Sequence, residues 1–167
     1  MAIRQVDQRL QKLANEQLGS GSMGTTLVVW QRADRRSALI AHVGDSRCYR
    51  EHHGHLTQIT RDHSVVQMQV DAELISSEDA FTASNRHLIT QAIGLGEPLS
   101  IDVVESPLAS GDRFLLCSDG LTDMVSPNGL AELFKAHKDN QTLADALLNA
   151  ALDAGGRDNV SLILIGI

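Results

Sequence analysis

Short runs of β-forming residues joined by brief polar links occupy much of this 167-residue chain. The links are too short for the crossover that a parallel pair of strands requires, so they favour antiparallel pairing. Residues 32–36, for example, have the length and polarity of a hairpin connection. The predicted strands are residues 25–30, 37–43, 47–50, 55–60, 87–93, 101–105, 113–118 and 160–165. The last run is apolar on both faces, which predicts a central strand.

Helical periodicity flanks these runs. Ile3, Val6, Leu10 and Leu13 recur at three- and four-residue spacing, which predicts an amphipathic helix that ends at the glycine-rich residues 19–22. Further helices are predicted after a cap at Asp62 or Ser64, after Ser76, around residues 130–134 and over 143–151. The sequence therefore predicts a single α+β domain over residues 1–167, with antiparallel β-sheets covered by helices.

Composition narrows the possible partners. The formal net charge of −7 leaves no broad cationic surface, so nucleic acid is not expected to bind. No apolar run approaches the roughly 20 residues that cross a bilayer, so no membrane segment is expected. Cys48 and Cys117 each lie in an apolar run, which predicts two free, buried thiols and a cytoplasmic location.

Three aspartates share a setting that suits a metal ion. Asp45 and Asp119 end apolar strand runs beside glycine, and Asp158 precedes the last strand. Strand ends hold carboxylates rigidly, and neighbouring glycines allow water or phosphate to approach, as hard cations such as Mg²⁺ and Mn²⁺ require. Aspartate also favours turns and helix N-caps for local reasons, so each residue alone has a second interpretation.

Taken together, the motifs are more specific. The chain resembles the PP2C-type (PPM) metal-dependent serine/threonine phosphatases, in the form found in bacteria, along nearly its whole length from residue 21 to 165. The resemblance rests on six segments in the family's order, which are residues 23–28 (MGTTLV), 41–49 (AHVGDSRCY), 56–64 (LTQITRDHS), 89–94 (ITQAIG), 111–123 (GDRFLLCSDGLTD) and 156–161 (GRDNVS).

The resemblance implies a fold and a chemistry. The fold would be a sandwich of antiparallel β-sheets flanked by α-helices, and the substrates would be phosphoserine and phosphothreonine on proteins. Asp119 and Asp158 would ligate a binuclear Mg²⁺ or Mn²⁺ centre, and Asp45 would help to hold a third ion. A metal-activated water would attack the phosphorus directly. The sequence fits this mechanism, because neither cysteine begins a Cys-x5-Arg phosphate loop.

Two further features follow from the resemblance. Residues 65–86, Val65 to Arg86, correspond to a mobile flap that affects substrate access, with an inert helical insertion as the alternative. His63 lies at the entrance to this segment, where it either contacts substrate or is an ordinary histidine at a helix start. A serine/threonine kinase is the expected functional counterpart.

The sequence departs from the family at its N-terminal end. Members begin with an arginine-containing segment, a Glu-Asp pair and a strand ending in Asp-Gly-x-Gly-Gly-His, and this chain lacks these motifs at its N-terminal end. We therefore expect the N-terminal strands to be missing, the isolated chain to be weakly active or inactive, and uncovered sheet edges to permit self-association. Three explanations remain open: a fragment of a phosphatase, a shortened phosphoprotein-binding module without activity, or half of a site completed by another chain.

Overall fold

The computed structural model describes residues 2–18, 23–95 and 98–167. Six helices and seven strands occur in this part of the chain. The elements in chain order are α1 (Ala2–Leu18), β1 (Leu27–Arg32), β2 (Ser37–Val43), β3 (Arg47–His52), β4 (His55–Gln58), α2 (Val65–Asp71), α3 (Ser77–Thr82), β5 (Asp102–Pro107), β6 (Arg113–Cys117), α4 (Asp119–Thr122), α5 (Pro127–Ala136), α6 (Asn140–Asp153) and β7 (Leu162–Gly166).

The strands form two sheets, and every pairing is antiparallel, as predicted. The first sheet has the order β1-β2-β5 and the second β4-β3-β6-β7. Ala38, Ile40, Cys48, Phe114 and Leu116 form the buried cluster that joins the two sheets. The α+β class and the sandwich architecture are thus confirmed.

Helices cover the outer faces of the sandwich. Ile3 and Leu10 of α1 pack against the cluster of Val43, Ile93 and Leu99 beside the first sheet. The second sheet packs against α4, α5 and α6 through a cluster that includes Leu115, Leu121, Leu130, Phe134, Leu143 and Leu147. The helix predicted at the N-terminus is therefore present, and its predicted glycine-rich end at 19–22 lies outside the described residues.

Two strand predictions are wrong. Residues 87–93 form isolated bridges, Ser64 with Ile89 and Thr25 with Ile93, because their backbone groups bond to two separate segments rather than to one continuous strand. The strand β7 lies at the edge of its sheet among the described strands, not at the centre, and Ile163 is 60% exposed.

The cysteine prediction is confirmed. Cys48 and Cys117 are both free and buried. Burial raises the pKa of each thiol to about 12, so neither forms a reactive thiolate near neutral pH. No helix in the described ranges is long and apolar enough to span a membrane.

Candidate metal centre

Asp45 lies in the tight turn where the chain passes from the first sheet to the second. Gly44 has a φ of +96°, and a Cβ at this position would lie 2.3 Å from Thr26 Cγ2, so the turn requires glycine. The hydroxyls of Thr26 and Ser46 are 2.8 Å apart and hold the turn against the start of β1. Asp45 is consequently fixed and only 9% exposed.

Asp119 is the first residue of α4, directly after the buried strand β6. The preceding residue, Ser118, connects it to the segment that carries Asp158. Ser118 Oγ accepts a hydrogen bond from the Ser161 backbone N–H at 3.1 Å and donates to the Asn159 carbonyl at 3.3 Å. The Ser118 backbone N–H also donates to the Ser161 carbonyl at 3.0 Å. These bonds bring Asp119 and Asp158 together although they are 39 positions apart in the sequence.

The same segment approaches α4 through a glycine. A Cβ added to Gly120 would lie 2.2 Å from the Asn159 carbonyl oxygen, which is far closer than any packing allows. Asp158 is exposed, and its Oδ1 accepts a hydrogen bond from the Asn159 backbone N–H at 2.7 Å. Glycine at position 120 therefore sets how near the two aspartates can come.

The three aspartates influence one another electrostatically. Burial raises the pKa of Asp45 to about 6, and the negative charge of Asp119 adds to this effect. Burial also raises the pKa of Asp119, with further contributions from the charges of Asp123 and Asp158. Crowded carboxylates with raised pKa values are the arrangement that a divalent cation would stabilise in its ionised form.

The carboxylates do not converge on a single point. Within the described ranges, the carboxylate oxygens of Asp45, Asp119 and Asp158 are not all within 4.8 Å of one another. The three side chains are therefore not arranged to hold one ion together.

Residues of the 65–86 segment form one wall of the cleft above Asp45 and Asp119. Both helices of this segment and the turn after α3 contribute lining residues, namely Val66, Gln67, Val70, Ser77, Ala80, Phe81 and Arg86. Arg86 Nε lies 3.3 Å from Asp123 Oδ1, which links the end of the segment to the acidic side of the cleft.

Two of the predicted helix starts are present in this segment. Ser64 caps α2, and a reciprocal capping box of Ser76 and Asp79 starts α3.

Arg47 and Asp62 also line this cleft. The sequence suggested Asp62 only as a helix cap and assigned Arg47 no role. Arg47 Nε is 3.0 and 2.9 Å from the two oxygens of Asp62, and Nη2 is 2.7 Å from Oδ2. Arg47 Nη1 also donates to the Tyr49 hydroxyl at 3.1 Å. Both residues lie within motifs quoted above, but their pairing across 15 positions could not be recognised from spacing.

His63 lies outside this cleft lining. Its Nδ1 accepts from the Gly44 backbone N–H at 3.3 Å, and its Nε2 is 3.4 Å from Asp102 Oδ2. The expectation that His63 contacts substrate stays a prediction, and these contacts favour a positioning role beside the Asp45 turn.

Comparison with known proteins assigns the chain to a family. The family described as Stage II sporulation protein E (SpoIIE) matches residues 2–167. The serine/threonine phosphatase Stp of Listeria monocytogenes is 34% identical over 163 residues, which cover 98% of this chain and 64% of that protein. The chain thus spans slightly less than two thirds of the length of such relatives.

Solved structures show the same architecture. The serine/threonine phosphatase Stp1 from Staphylococcus aureus superposes with a TM-score of 0.92 at 37% identity, over 99% of this chain and 65% of that one. The catalytic domain of the serine/threonine protein phosphatase PstP, solved in complex with two manganese ions, gives a TM-score of 0.82 at 34% identity over 95% of this chain and 65% of its own. The sandwich of two antiparallel sheets with covering helices is the fold of these phosphatase structures. The chain belongs to the SpoIIE/PP2C-type (PPM) family of serine/threonine phosphatases.

Proposed function

We propose that this chain forms most of a protein serine/threonine phosphatase domain that hydrolyses phosphoserine and phosphothreonine esters. The observation that carries the proposal is the group of Asp45, Asp119 and Asp158 at one end of the sandwich, on three separate segments. The pKa values of Asp45 and Asp119 are raised by burial and by neighbouring negative charge, so a bound cation would stabilise their ionised forms.

The proposed cofactor is Mg²⁺ or Mn²⁺, in a centre of two or three ions. The all-oxygen donor set supports hard cations, and the relative PstP was solved with two manganese ions. Asp119 and Asp158 would hold the core of the centre and Asp45 a further ion. Bound there, the ions would lower the pKa of a coordinated water and offset charge on the phosphoryl oxygens.

The residues of the chain would position and shield the reaction. The Gly44 turn and the hydrogen bonds of Ser118 to Asn159 and Ser161 fix the carboxylates. Little reorganisation of these side chains is therefore needed during the reaction. The Arg47–Asp62 pair is satisfied internally, which supports a role in shaping the bottom of the cleft rather than in gripping phosphate. Segment 65–86 would admit a phosphorylated protein segment between its two helices and the acidic wall.

We also propose that the isolated chain has little activity. Family members carry an Asp-Gly-x-Gly-Gly-His segment that this sequence lacks, and the resemblance implies that the aspartate of that segment would help to hold the core metals. Fewer carboxylates would then balance two closely spaced cations, which weakens binding. A cytoplasmic setting opposite a serine/threonine kinase completes the proposal.

Mn²⁺ binding and hydrolysis of a phosphothreonine peptide test these statements separately. We expect calorimetry to show Mn²⁺ binding to the chain that falls at least tenfold in Asp119→Asn, while the exposed control Asp153→Asn binds normally. Peptide turnover should be near background and should rise when an upstream segment carrying Asp-Gly-x-Gly-Gly-His is fused to the chain.

Two results would contradict the proposal. Equal Mn²⁺ binding by Asp119→Asn and wild type would remove the assigned metal centre. Tight phosphopeptide binding without turnover, in the fused as well as the isolated chain, would instead identify a phosphoprotein-binding module.

A further inference from the structure

A second group of potential metal ligands lies near the first sheet, outside the acidic cleft. His42 is in β2 and fully buried, and Asp102 is its cross-strand partner at the start of β5. His63 lies in the loop that leads to α2. One ligand atom from each of these residues lies within 4.8 Å of the other two.

The hydrogen bonding of His42 fixes its tautomer. Its Nε2 is 2.8 Å from the Arg61 carbonyl oxygen, which can only accept, so Nε2 carries the proton. Nδ1 therefore presents a lone pair, and this buried atom has no hydrogen-bond partner among the described residues. A buried polar atom without a partner is unfavourable, because it has lost its hydrogen bonds to water. Donation of the second ring N–H to a carbonyl is also the usual arrangement of a metal-binding histidine.

His63 and Asp102 face the same point. His63 Nε2 and Asp102 Oδ2 are 3.4 Å apart, a separation that two ligands of one tetrahedral ion can have. The ring centroids of His42 and His63 are 4.9 Å apart, with planes inclined by 32°. The contact from Gly44 N–H to His63 Nδ1 is long, at 3.3 Å. Metal binding through Nε2 would place the proton on Nδ1 and give up only this weak bond.

We propose that His42 Nδ1, His63 Nε2 and Asp102 form a binding site for a transition-metal ion such as Zn²⁺, with solvent supplying the fourth ligand. Two imidazole nitrogens and one carboxylate suit Zn²⁺ much better than Mg²⁺, which prefers oxygen ligands. The Asp102 side chain is 42% exposed and gives the ion a route from solvent. The all-oxygen group of Asp45, Asp119 and Asp158 would instead favour hard cations such as Mg²⁺.

An ion at this site would stabilise the base of the 65–86 segment. The His63 backbone N–H donates to the Gly44 carbonyl at 3.0 Å, and its carbonyl accepts from Thr90 N–H at 2.8 Å, so His63 holds both ends of the 65–86 segment near the Asp45 turn. An ion bound to β2, β5 and His63 would join three segments that are otherwise connected by hydrogen bonds. Zn²⁺ should therefore stabilise the base of that segment.

Co²⁺ and Zn²⁺ binding to the untagged chain tests the site. We expect one equivalent of Co²⁺ to give the visible ligand-field absorption of a tetrahedral nitrogen-containing site, and equimolar Zn²⁺ to displace it. Asp102→Asn and His63→Gln should each weaken Zn²⁺ binding at least tenfold, whereas the exposed control His87→Gln should bind as wild type. These two variants change partly accessible side chains, and circular dichroism will show whether they fold.

An independent readout addresses His42 without mutating a fully buried residue. Imidazole ¹⁵N chemical shifts should show His42 protonated at Nε2 before and after Zn²⁺ addition, with a large change at Nδ1 on binding. The proposal is wrong if the His42 Nδ1 signal does not move, or if Zn²⁺ binding survives in Asp102→Asn and His63→Gln but is lost in Asp119→Asn, because the ion then occupies the acidic cleft.

Discussion

At the scale of single residues, the acidic end of the sandwich is held by contacts that leave little room for substitution. Gly44 and Gly120 are each next to one of the aspartates, and an added Cβ would clash with the Thr26 side chain at Gly44 and with the Asn159 carbonyl oxygen at Gly120. Asp45 and Asp119 are buried or half-buried carboxylates whose pKa values are raised. Backbone geometry and charge at these few residues therefore govern any cation that binds.

Replacement of Gly120 by alanine should disrupt the site. The added Cβ would lie 2.2 Å from the Asn159 carbonyl oxygen and 2.9 Å from its carbon, so α4 and the Asp158 segment must separate. We expect a loss of at least tenfold in Mn²⁺ affinity, together with a loss of stability of about 1–3 kcal/mol from overpacking. Calorimetry and thermal unfolding measure both.

Gly129→Ala is the matched control for this change. Gly129 is also helical, but its added Cβ would meet only side-chain atoms, 3.1 Å from Val125 Cγ1. Alanine is the better helix former, so this variant should lose little stability and no Mn²⁺ affinity. Normal metal binding by Gly120→Ala would show that the close approach does not position Asp158.

The raised pKa of Asp45 predicts how pH acts on the metal-free protein. The folded-state pKa of about 6 exceeds the ordinary value of 3.8, so the folded chain binds more protons than the unfolded chain between these values. The contribution of Asp45 to stability is therefore present at low pH and lost as pH rises towards 6. Denaturant unfolding should show Asp45→Asn gaining stability relative to wild type above pH 6, with the difference shrinking towards pH 4.

Mn²⁺ affinity should have the opposite pH dependence to the stability of the metal-free protein. Because a bound ion requires the ionised carboxylate, Mn²⁺ affinity should fall as pH decreases from 7 to 5. A stability difference between Asp45→Asn and wild type that does not change with pH would contradict the assigned shift.

At the scale of secondary-structure elements, the 65–86 segment depends on its caps more than on burial. α3 has no buried residue, and its first turn is held by the capping box in which Ser76 Oγ accepts from Asp79 N–H at 3.1 Å. Segments with few apolar contacts open most easily, and cleft-covering segments are commonly of this kind. The local stability of α3 is therefore set by Ser76 and Asp79.

Ser76→Ala should loosen α3 without unfolding the domain. Loss of an N-cap costs about 0.5–2 kcal/mol, and here that cost falls on a short exposed helix. We expect faster amide hydrogen exchange over Ser77–Thr82 and an unchanged global melting temperature. Ser126→Ala, which removes the equivalent cap from the better-packed helix α5, should instead lower the melting temperature. Unchanged exchange in α3 would show that the box does not hold it.

At the scale of the whole molecule, the described sheets present apolar residues to solvent. Val103 on the edge strand β5 is 61% exposed, and Ile163 on the edge strand β7 is 60% exposed. The match spans 64% of the Listeria protein, so about a third of that relative lies outside the matched region. Exposed edges with apolar side chains favour pairing between copies.

Self-association should accordingly depend on β7. Ile163→Lys places a charge on the exposed edge and should shift the chain towards monomer in light scattering coupled to size-exclusion chromatography. Leu74→Lys changes a residue that is 73% exposed in the 65–86 segment, away from both sheets, and should leave the distribution unchanged. A wild-type chain that stays monomeric at high concentration would show that these edges do not mediate self-association.

The sequence by itself determined most of the strands and helices, the antiparallel pairing and the family. Alternation and turn chemistry are local, so the strand at Ser37–Val43 and the helix starts at Ser64 and Ser76 could be predicted from neighbouring residues alone. The candidate aspartates were also recognisable, because each lies in a short motif beside glycine or another turn former.

Only the tertiary structure decided which distant residues meet. The pairing of Arg47 with Asp62, the approach of Gly120 to Asn159 and the group of His42, His63 and Asp102 depend on register and layer packing. The strand predicted at 87–93 failed for the same reason, since an apolar run becomes a strand only where a continuous partner lies beside it. Periodicity encodes which face of an element is buried, whereas the partner across that face is set by the fold of the whole chain.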